Sequence, residues 1–333
     1  MRGKLSKTLI HLSLNCVPKQ PQRTMASKPL SLESLQKLQK DYYADRKNEL
    51  AQNVCTRFDP FEVAISRKRT STALHVYNIK VESEAKPVTN QENSGRCWLF
   101  AALNVMRLPF MKKYGLEEFE FSQSYLFFWD KIERSHFWLN NIVSTAKQGE
   151  SLDGRLVNFL LKDPINDGGQ WDMIVNLVNK YGVVPKKCFP ESFSSRKSLH
   201  MNAILKTKLP LRRQTKKYRK LSTDKSRTPP EKCTLEFYNK EKQYVKMRPV
   251  SPKQFYEEYV KPLYNVDDKV CLVSDPRESN PFGHLYTLQC LGNVVGGRET
   301  AYNNQPIETL IKAVVDSISG GEAVWFGCEV SKR

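Results

Sequence analysis

An almost unbroken run of apolar side chains after Cys97 constrains the fold more than any other stretch of the chain. The run comprises Trp98, Leu99, Phe100, Leu103, Val105, Met106 and Leu108. At helical spacing these side chains would cover nearly the whole surface of a helix over residues 97–108, and such a helix must be buried. Pro109 predicts that the helix ends or kinks there. We therefore expect the core to form around a helix that begins with a cysteine.

The residues just before this helix fit a nucleophilic role for Cys97. A cysteine attacks as the thiolate, and the unpaired amides of a helix N-terminus favour that form. Gly95 allows a tight turn into the helix, and the Cys97 N–H and the Gln91 side-chain amide could both donate to a developing oxyanion. Trp98 would pack beneath the site and shield its polar groups. Taken alone, a cysteine before an apolar helix could equally be a buried structural residue.

The spacing of these residues matches the local signature of papain-type cysteine peptidases, with two departures. Ser94 stands where secreted members have a disulfide cysteine, and Arg96 stands where they have a small residue. Further motifs lie at 90–91, 94–98, 104–113, 119–131, 166–173, 181–192, 296–298 and 321–328. Through these motifs the sequence resembles the bleomycin hydrolase family of papain-like cysteine peptidases from about residue 31 to residue 330, apart from residues 209–232.

This resemblance implies an α+β, papain-like fold with helical insertions and an incomplete second, β-rich lobe. It also implies a cytoplasmic thiol aminopeptidase that acts on peptide substrates, needs no cofactor and assembles as a ring-shaped homohexamer. By position, Cys97 is the nucleophile and Gln91 the oxyanion donor. Gly168 and Gly169 correspond to paired glycines that line the substrate cleft, where only glycine allows close approach. The other interpretation of this pair is a plain turn before a helix at Trp171.

A papain-type nucleophile also needs a histidine base and an Asn or Asp that orients it. The five histidines are His11, His75, His136, His200 and His284. Only His284 opens a strand-like segment after Cys97, and no Asn-Ser-Trp-Gly element follows it, since Asn293 precedes Val-Val-Gly. In the resembling family both residues follow the equivalent of Val330, whereas this sequence ends at Arg333. We therefore expect a C-terminally truncated chain that hydrolyses peptides very poorly, or an unstable fragment that does not accumulate.

The distribution of charge and of cysteines bears on three further questions: nucleic-acid binding, metal binding and cellular location. The net charge is +18, and 13 of these charges lie in residues 1–30, with six basic and no acidic residues, and 209–232, with nine basic and two acidic residues. Such segments are usually solvated, but they leave a non-catalytic nucleic-acid-binding protein as the alternative function. The eight cysteines are scattered without the spacing of a zinc site. We therefore expect no metal and a reducing, cytoplasmic location.

Four segments organise the chain. Residues 1–24 form a basic extension that is either disordered or a mitochondrial targeting sequence, and residues 25–208 carry the Cys97 helix. Residues 209–232 are an irregular basic loop, and residues 233–333 hold a helical insertion and the start of the β-rich lobe. Helices are predicted after Ser31, over 122–134 with Ser122 as the cap, over 171–181 and 252–264, and after Pro306, and strands over 269–274, 284–291 and 323–330.

Overall fold

The structure is a computed structural model that describes residues 9–12, 29–81, 85–209 and 228–328. The chain divides into two compact units, one formed by Val17–Asn78 and the other by Met1–Cys16 together with Ile79–Arg333. The first unit holds four helices, α1 (Leu32–Ala44), α2 (Arg46–Cys55), α3 (Pro60–Ala64) and α4 (Arg67–Thr72). None of the side chains in these four helices is buried.

Helix α1 begins where the sequence predicts. The Ser31 hydroxyl accepts a hydrogen bond from the Ser34 N–H at 3.1 Å, which satisfies one of the free donors of the first turn. Leu32, Leu35 and Leu38 share one face, as predicted, but all three remain exposed.

The second unit packs its core around three helices. Its helical elements are α5 (Cys97–Tyr114), α6 (Gln123–Lys147), α7 (Arg155–Lys162), α8 (Trp171–Tyr181), a 3-10 turn (Lys186–Cys188), α9 (Phe193–Arg196) and α10 (Leu199–Lys208). Helices α5, α6 and α8 contact one another. Leu99, Ala102 and Met106 on α5 are fully buried. The predicted buried helix after Cys97 is therefore confirmed.

Two helices are longer than the sequence predicts. Pro109 lies inside α5, which continues to Tyr114 and ends at Gly115 with a φ of 61°. A proline removes a single N–H donor, and the buried Phe110 and Met111 hold the last turn against the core. Helix α6 begins after Ser122, as predicted, but it extends to Lys147 because Trp138 and Thr145 continue its buried face.

The remaining elements of the second unit include its strands. The elements are β1 (Leu9–Leu12), β2 (Glu236–Tyr238), β3 (Tyr244–Lys246), α11 (Pro252–Phe255), a π-helical turn (Tyr256–Val260), a 3-10 turn (Val266–Asp268), β4 (Cys271–Val273), β5 (Leu285–Leu288), β6 (Ala301–Asn304) and α12 (Ile307–Ser319). Strands β2 and β3 form an antiparallel hairpin. The other sheet has the order β1-β5-β6-β4, in which only the β5–β6 pair is antiparallel.

Strands β4 and β5 and helices α8 and α12 confirm the sequence predictions, while two other predictions need correction. The helix predicted over 252–264 is an α-helix only to Phe255 and then widens into the π-helical turn. The strand predicted over 323–330 does not form over residues 322–328, which have no regular secondary structure. Phe326 is 71% exposed and only Ala323 and Trp325 pack against the core, so the apolar alternation reflects two anchoring side chains.

The two basic segments lie mostly outside the described residues. In residues 1–24, only 9–12 are described, and they form β1. The prediction of a disordered or targeting extension otherwise falls outside the described residues. In residues 209–232, positions 210–227 lie outside the described residues, and Leu209 at the end of α10 is fully buried rather than part of an exposed loop.

Candidate active site

The N-terminus of α5 presents free backbone donors beside an exposed thiol. The Arg96 carbonyl accepts from the N–H groups of Leu99 and Phe100 at 2.9 and 3.1 Å, and no side chain caps the helix. Within the described residues, the N–H groups of Cys97 and Trp98 have no acceptor. The Cys97 side chain is exposed. The start of this 18-residue helix can therefore place partial positive charge next to an exposed sulfur.

Gln91 lies in the loop that leads into α5. Its backbone carbonyl accepts from the Ser94 hydroxyl at 2.7 Å, which fixes the loop. Its side-chain Oε1 is buried, and no described residue hydrogen-bonds to it. An amide oxygen accepts hydrogen bonds, so this atom is an open acceptor. The oxyanion role predicted for Gln91 would use the Nε2 donor instead, and it stays a prediction.

Arg96 anchors the same loop from below. Its side chain is fully buried, its Nη1 pairs with the Glu191 Oε2 at 2.8 Å and its Nε donates to the Ser94 Oγ at 2.8 Å. The guanidinium also lies over the rings of Phe100 and Phe127. The sequence marks Arg96 only as a departure from the papain-type signature, because its partner Glu191 is 95 positions away.

Asp167 holds the loop from the other side, and sequence reasoning missed it. Its carboxylate accepts from the Gly95 N–H at 3.2 Å and from Lys131 Nζ at 2.6 Å. It also accepts from the side chains of Ser198 and Asn202. Burial alone would raise the pKa of Asp167, but the charge of Lys131 and these hydrogen bonds lower it to about 2. Its position directly before Gly168-Gly169 in a long motif is the signal that could have indicated it.

Trp98 packs beneath the site, as predicted. Its side chain is 3% exposed, and its Nε1 donates to the Asp167 carbonyl at 2.6 Å. A Cβ at Gly169 would lie 2.6 Å from the indole ring, so the ring needs a glycine there. By contrast, a Cβ at Gly168 would meet only the Asn166 Oδ1 at 4.0 Å. Gly169 is thus required for packing against Trp98, whereas Gly168 is exposed.

Four histidines have side chains that the structure describes, and none of the four is positioned as a base for Cys97. His75, His136, His200 and His284 are all exposed. In the part of the chain that the structure describes, none of them hydrogen-bonds to Cys97. Asn293 is buried and donates to the Asp130 Oδ1 at 3.0 Å and to the Met173 carbonyl at 3.1 Å, so it serves the core.

Over the described residues, no group of three or more His, Cys, Asp or Glu side chains could hold a metal ion. Similarly, no helix in residues 9–12, 29–81, 85–209 and 228–328 is long and apolar enough to cross a membrane.

Known proteins resemble this chain over most of its length. Residues 29–228 and 225–333 match the Peptidase C1-like family. Bleomycin hydrolase of Gallus gallus is 55% identical over 307 residues, which are 85% of this chain and 67% of that protein. Bleomycin hydrolase of Homo sapiens is 50% identical over 333 residues, 93% of this chain and 73% of that protein. The crystal structure of PepW from Lactobacillus rhamnosis superposes with a TM-score of 0.79 at 34% identity and covers 89% of this chain and 70% of that chain.

The papain-like α+β fold and the family match define the chain as a cysteine peptidase by class. The chain belongs to the Peptidase C1-like family, and its bleomycin hydrolase relatives confirm the resemblance found in the sequence.

Proposed function

We propose that this chain is a bleomycin-hydrolase-like aminopeptidase whose nucleophile is Cys97. The observation that carries the proposal is the exposed Cys97 thiol at the uncapped N-terminus of α5. An 18-residue helix with free first-turn donors stabilises negative charge at this point. A relative from Listeria monocytogenes that is named Aminopeptidase C, 40% identical over 266 residues, supports peptide N-termini as the substrates.

The proposed first step is attack of the Cys97 thiolate on a peptide carbonyl carbon. The carbonyl oxygen becomes an oxyanion, to which the Cys97 N–H and the Gln91 side-chain amide donate. The C–N bond then breaks, the amine takes a proton from water and leaves, and a thioester to Cys97 remains for hydrolysis by water. Gly168 is exposed and has open space where its Cβ would be, which supports its predicted role beside Gly169 along the substrate.

Alkylation tests the nucleophile separately from turnover. Cys97 and Cys55 are both exposed, but Cys97 begins α5 whereas Cys55 is the last residue of α2. Because the two helix ends carry opposite partial charges, we expect iodoacetamide to modify Cys97 roughly tenfold faster than Cys55 at pH 7. Peptide mass spectrometry at short times measures both rates in one sample. Equal rates would contradict the proposed activation of Cys97.

Turnover tests the second half of the proposal, which concerns the base. The described histidines are exposed and make no hydrogen bond to Cys97, so we propose that residues 1–333 alone hydrolyse peptides very poorly. Release of a fluorophore from an aminoacyl substrate would be close to that of the Cys97→Ala variant. Robust turnover that Cys97→Ala abolishes would show that the base is supplied within these residues, while leaving the nucleophile assignment intact.

The oligomer and the location are proposed from the resemblance. Light scattering of the purified chain would reveal a hexamer, and a monomer at micromolar concentration would exclude it for this chain.

We also propose a cytoplasmic location rather than mitochondrial targeting by residues 1–24. Imaging of a C-terminally tagged chain checks this, because mitochondrial signal would reverse the choice.

Nucleic-acid binding is the second candidate function, favoured by the net charge of +18. Deletion of residues 209–232 should weaken a low-salt electrophoretic shift and flatten its salt dependence, because fewer phosphate contacts release fewer counterions. No shift at low salt would remove this candidate.

A further inference from the structure

Two cysteines that the proposed peptidase mechanism does not use lie side by side in the second unit. Cys188 ends the 3-10 turn after α8, and Cys233 precedes strand β2. Both thiols are free, and they are close enough for each to shift the pKa of the other. The Cys188 Sγ also donates to the carbonyl of Thr234 at 3.8 Å, next to Cys233 in the chain. The contact joins segments that are 45 positions apart by their residue numbers.

The backbone holds both cysteines in place. The N–H and carbonyl of Cys233 pair with Val250 at 2.8 and 3.1 Å. The N–H of Cys188 donates to the Pro185 carbonyl at 2.9 Å. Cys233 is buried in the main core cluster, whereas Cys188 packs against that cluster and is only half-buried. One thiol can therefore be reached from solvent while the other is held behind it.

We propose that Cys188 and Cys233 form a redox-active dithiol that a low-molecular-weight disulfide converts into an intramolecular disulfide. The Cys188 thiolate attacks one sulfur of the small disulfide, which forms a mixed disulfide and releases one small thiolate. The sulfur of Cys233 then attacks the sulfur of Cys188, and the second small thiolate leaves. Two electrons pass from the protein to the small disulfide, and the two cysteine protons end on the two released thiols.

The chemistry of the pair suits these separate roles. The hydrogen bond with Cys233 lowers the pKa of Cys188 to about 7, against the effect of burial. The same hydrogen bond, together with burial, raises the pKa of Cys233. The half-buried thiol is thus the one that attacks first. Once Cys188 is held in the mixed disulfide, its thiol no longer raises the pKa of Cys233, and the neighbouring Cys233 can lose its proton and attack.

The disulfide would also act on the loop before α5. Glu191, three positions after Cys188, is the ion-pair partner of the buried Arg96. Joining Cys188 to the β2–β3 region would restrict the segment that carries Glu191, and so the residue directly before Cys97. The redox state of the pair is therefore coupled to the loop that positions the nucleophile.

Treatment of the full chain with glutathione disulfide tests the proposal. After alkylation of free thiols, peptide mapping should find a Cys188–Cys233 cross-link, and the oxidised chain should melt about 5 °C or more above the reduced chain. Dithiothreitol should reverse both changes. In Cys233→Ser, Cys188 should instead carry glutathione, whereas Cys271→Ser, which changes another half-buried cysteine, should still form the cross-link.

Two outcomes would overturn the proposal. One is alkylation of both Cys188 and Cys233 after exposed Cys55 has been oxidised, since the pair would then be no more reactive than an isolated thiol. The other is a glutathione adduct on Cys188 in the unmodified chain, which would show that Cys233 does not resolve it. Neither outcome would affect the assignment of Cys97.

Discussion

Trp98 packs so closely against Gly169 that there is no room for even one methyl group at position 169. In Gly169→Ala the new Cβ would lie 2.6 Å from the indole ring, so the ring or the loop must shift. We expect a loss of about 1–3 kcal/mol in the free energy of unfolding. Gly168→Ala is the matched control, because its Cβ meets only one atom at 4.0 Å, and we expect a change within about 0.5 kcal/mol. Urea denaturation measures both. Equal losses would show that the Trp98 contact does not matter.

The carboxylate of Asp167 should make the free energy of unfolding fall at low pH. Its pKa is about 2 in the folded chain against a usual value of 3.8. Because the folded pKa is the lower one, the carboxylate stabilises the fold above about pH 4, and this contribution disappears as the pH falls through 2. The shift corresponds to about 2 kcal/mol.

Asp167→Asn tests this linkage. We expect the stability difference between the unchanged chain and the variant to shrink by about 2 kcal/mol between pH 5 and pH 2. Asp163→Asn removes an exposed pair with Lys206 and should cost less than about 1 kcal/mol throughout. Chemical denaturation at several pH values checks both. A difference that stays constant with pH would contradict the lowered pKa.

For single residues, the sequence indicates a role when that role depends on neighbouring residues in the chain. It does not indicate a role that depends on a partner far away in the sequence. Cys97 and Gln91 stand out because their spacing and the helix that follows are written in consecutive residues. The ion pair of Arg96 spans 95 positions, and the bond from Asp167 to Gly95 spans 72. No periodicity or spacing rule connects residues so far apart, so these contacts become visible only when α6, α8 and the loop before α5 are packed together.

Among the elements, the start of α6 shows how a cap can also join two parts of a fold. The Ser122 hydroxyl accepts from the Tyr125 N–H at 3.1 Å and donates to the Phe189 carbonyl. Ser122→Ala should therefore cost about 2 kcal/mol or more, since it also leaves a buried carbonyl unsatisfied. Ser31→Ala removes an exposed cap of α1 and should cost about 1 kcal/mol or less. Denaturant midpoints compare the two, and equal costs would mean that the Phe189 contact contributes little.

Helix starts were predicted more reliably than the late strands, for a physical reason. Ser31 and Ser122 cap helices through bonds to residues three positions away. A strand needs a partner that the sequence does not specify. The apolar residues 323–328 therefore suggested a strand, but within the described residues they anchor through Ala323 and Trp325 without pairing. The lengths of α5 and α6 were missed because tertiary burial extends both helices.

For the molecule as a whole, burial is distributed unevenly between the two units. Helices α1 to α4 contain no buried side chain, whereas ten residues of α5 and eight of α8 are buried. Amides in α1 to α4 should therefore exchange with deuterium within seconds to minutes, and those of α5 and α8 far more slowly. Hydrogen-exchange mass spectrometry measures this. Equal protection of α1 and α5 would show that another surface covers α1 in solution.

One contact of the site can form only late in protein synthesis. The Trp325 Nε1 donates to the Trp98 carbonyl at 3.2 Å, across a separation of 227 residues. At ribosomal speeds of about 5–20 residues per second, roughly 10 to 45 seconds pass between the making of these two tryptophans. During that interval Trp98, in the first turn of α5, lacks the hydrogen bond from Trp325. A chaperone that shields this apolar helix would have its longest opportunity to act while residues 99–325 are still being translated.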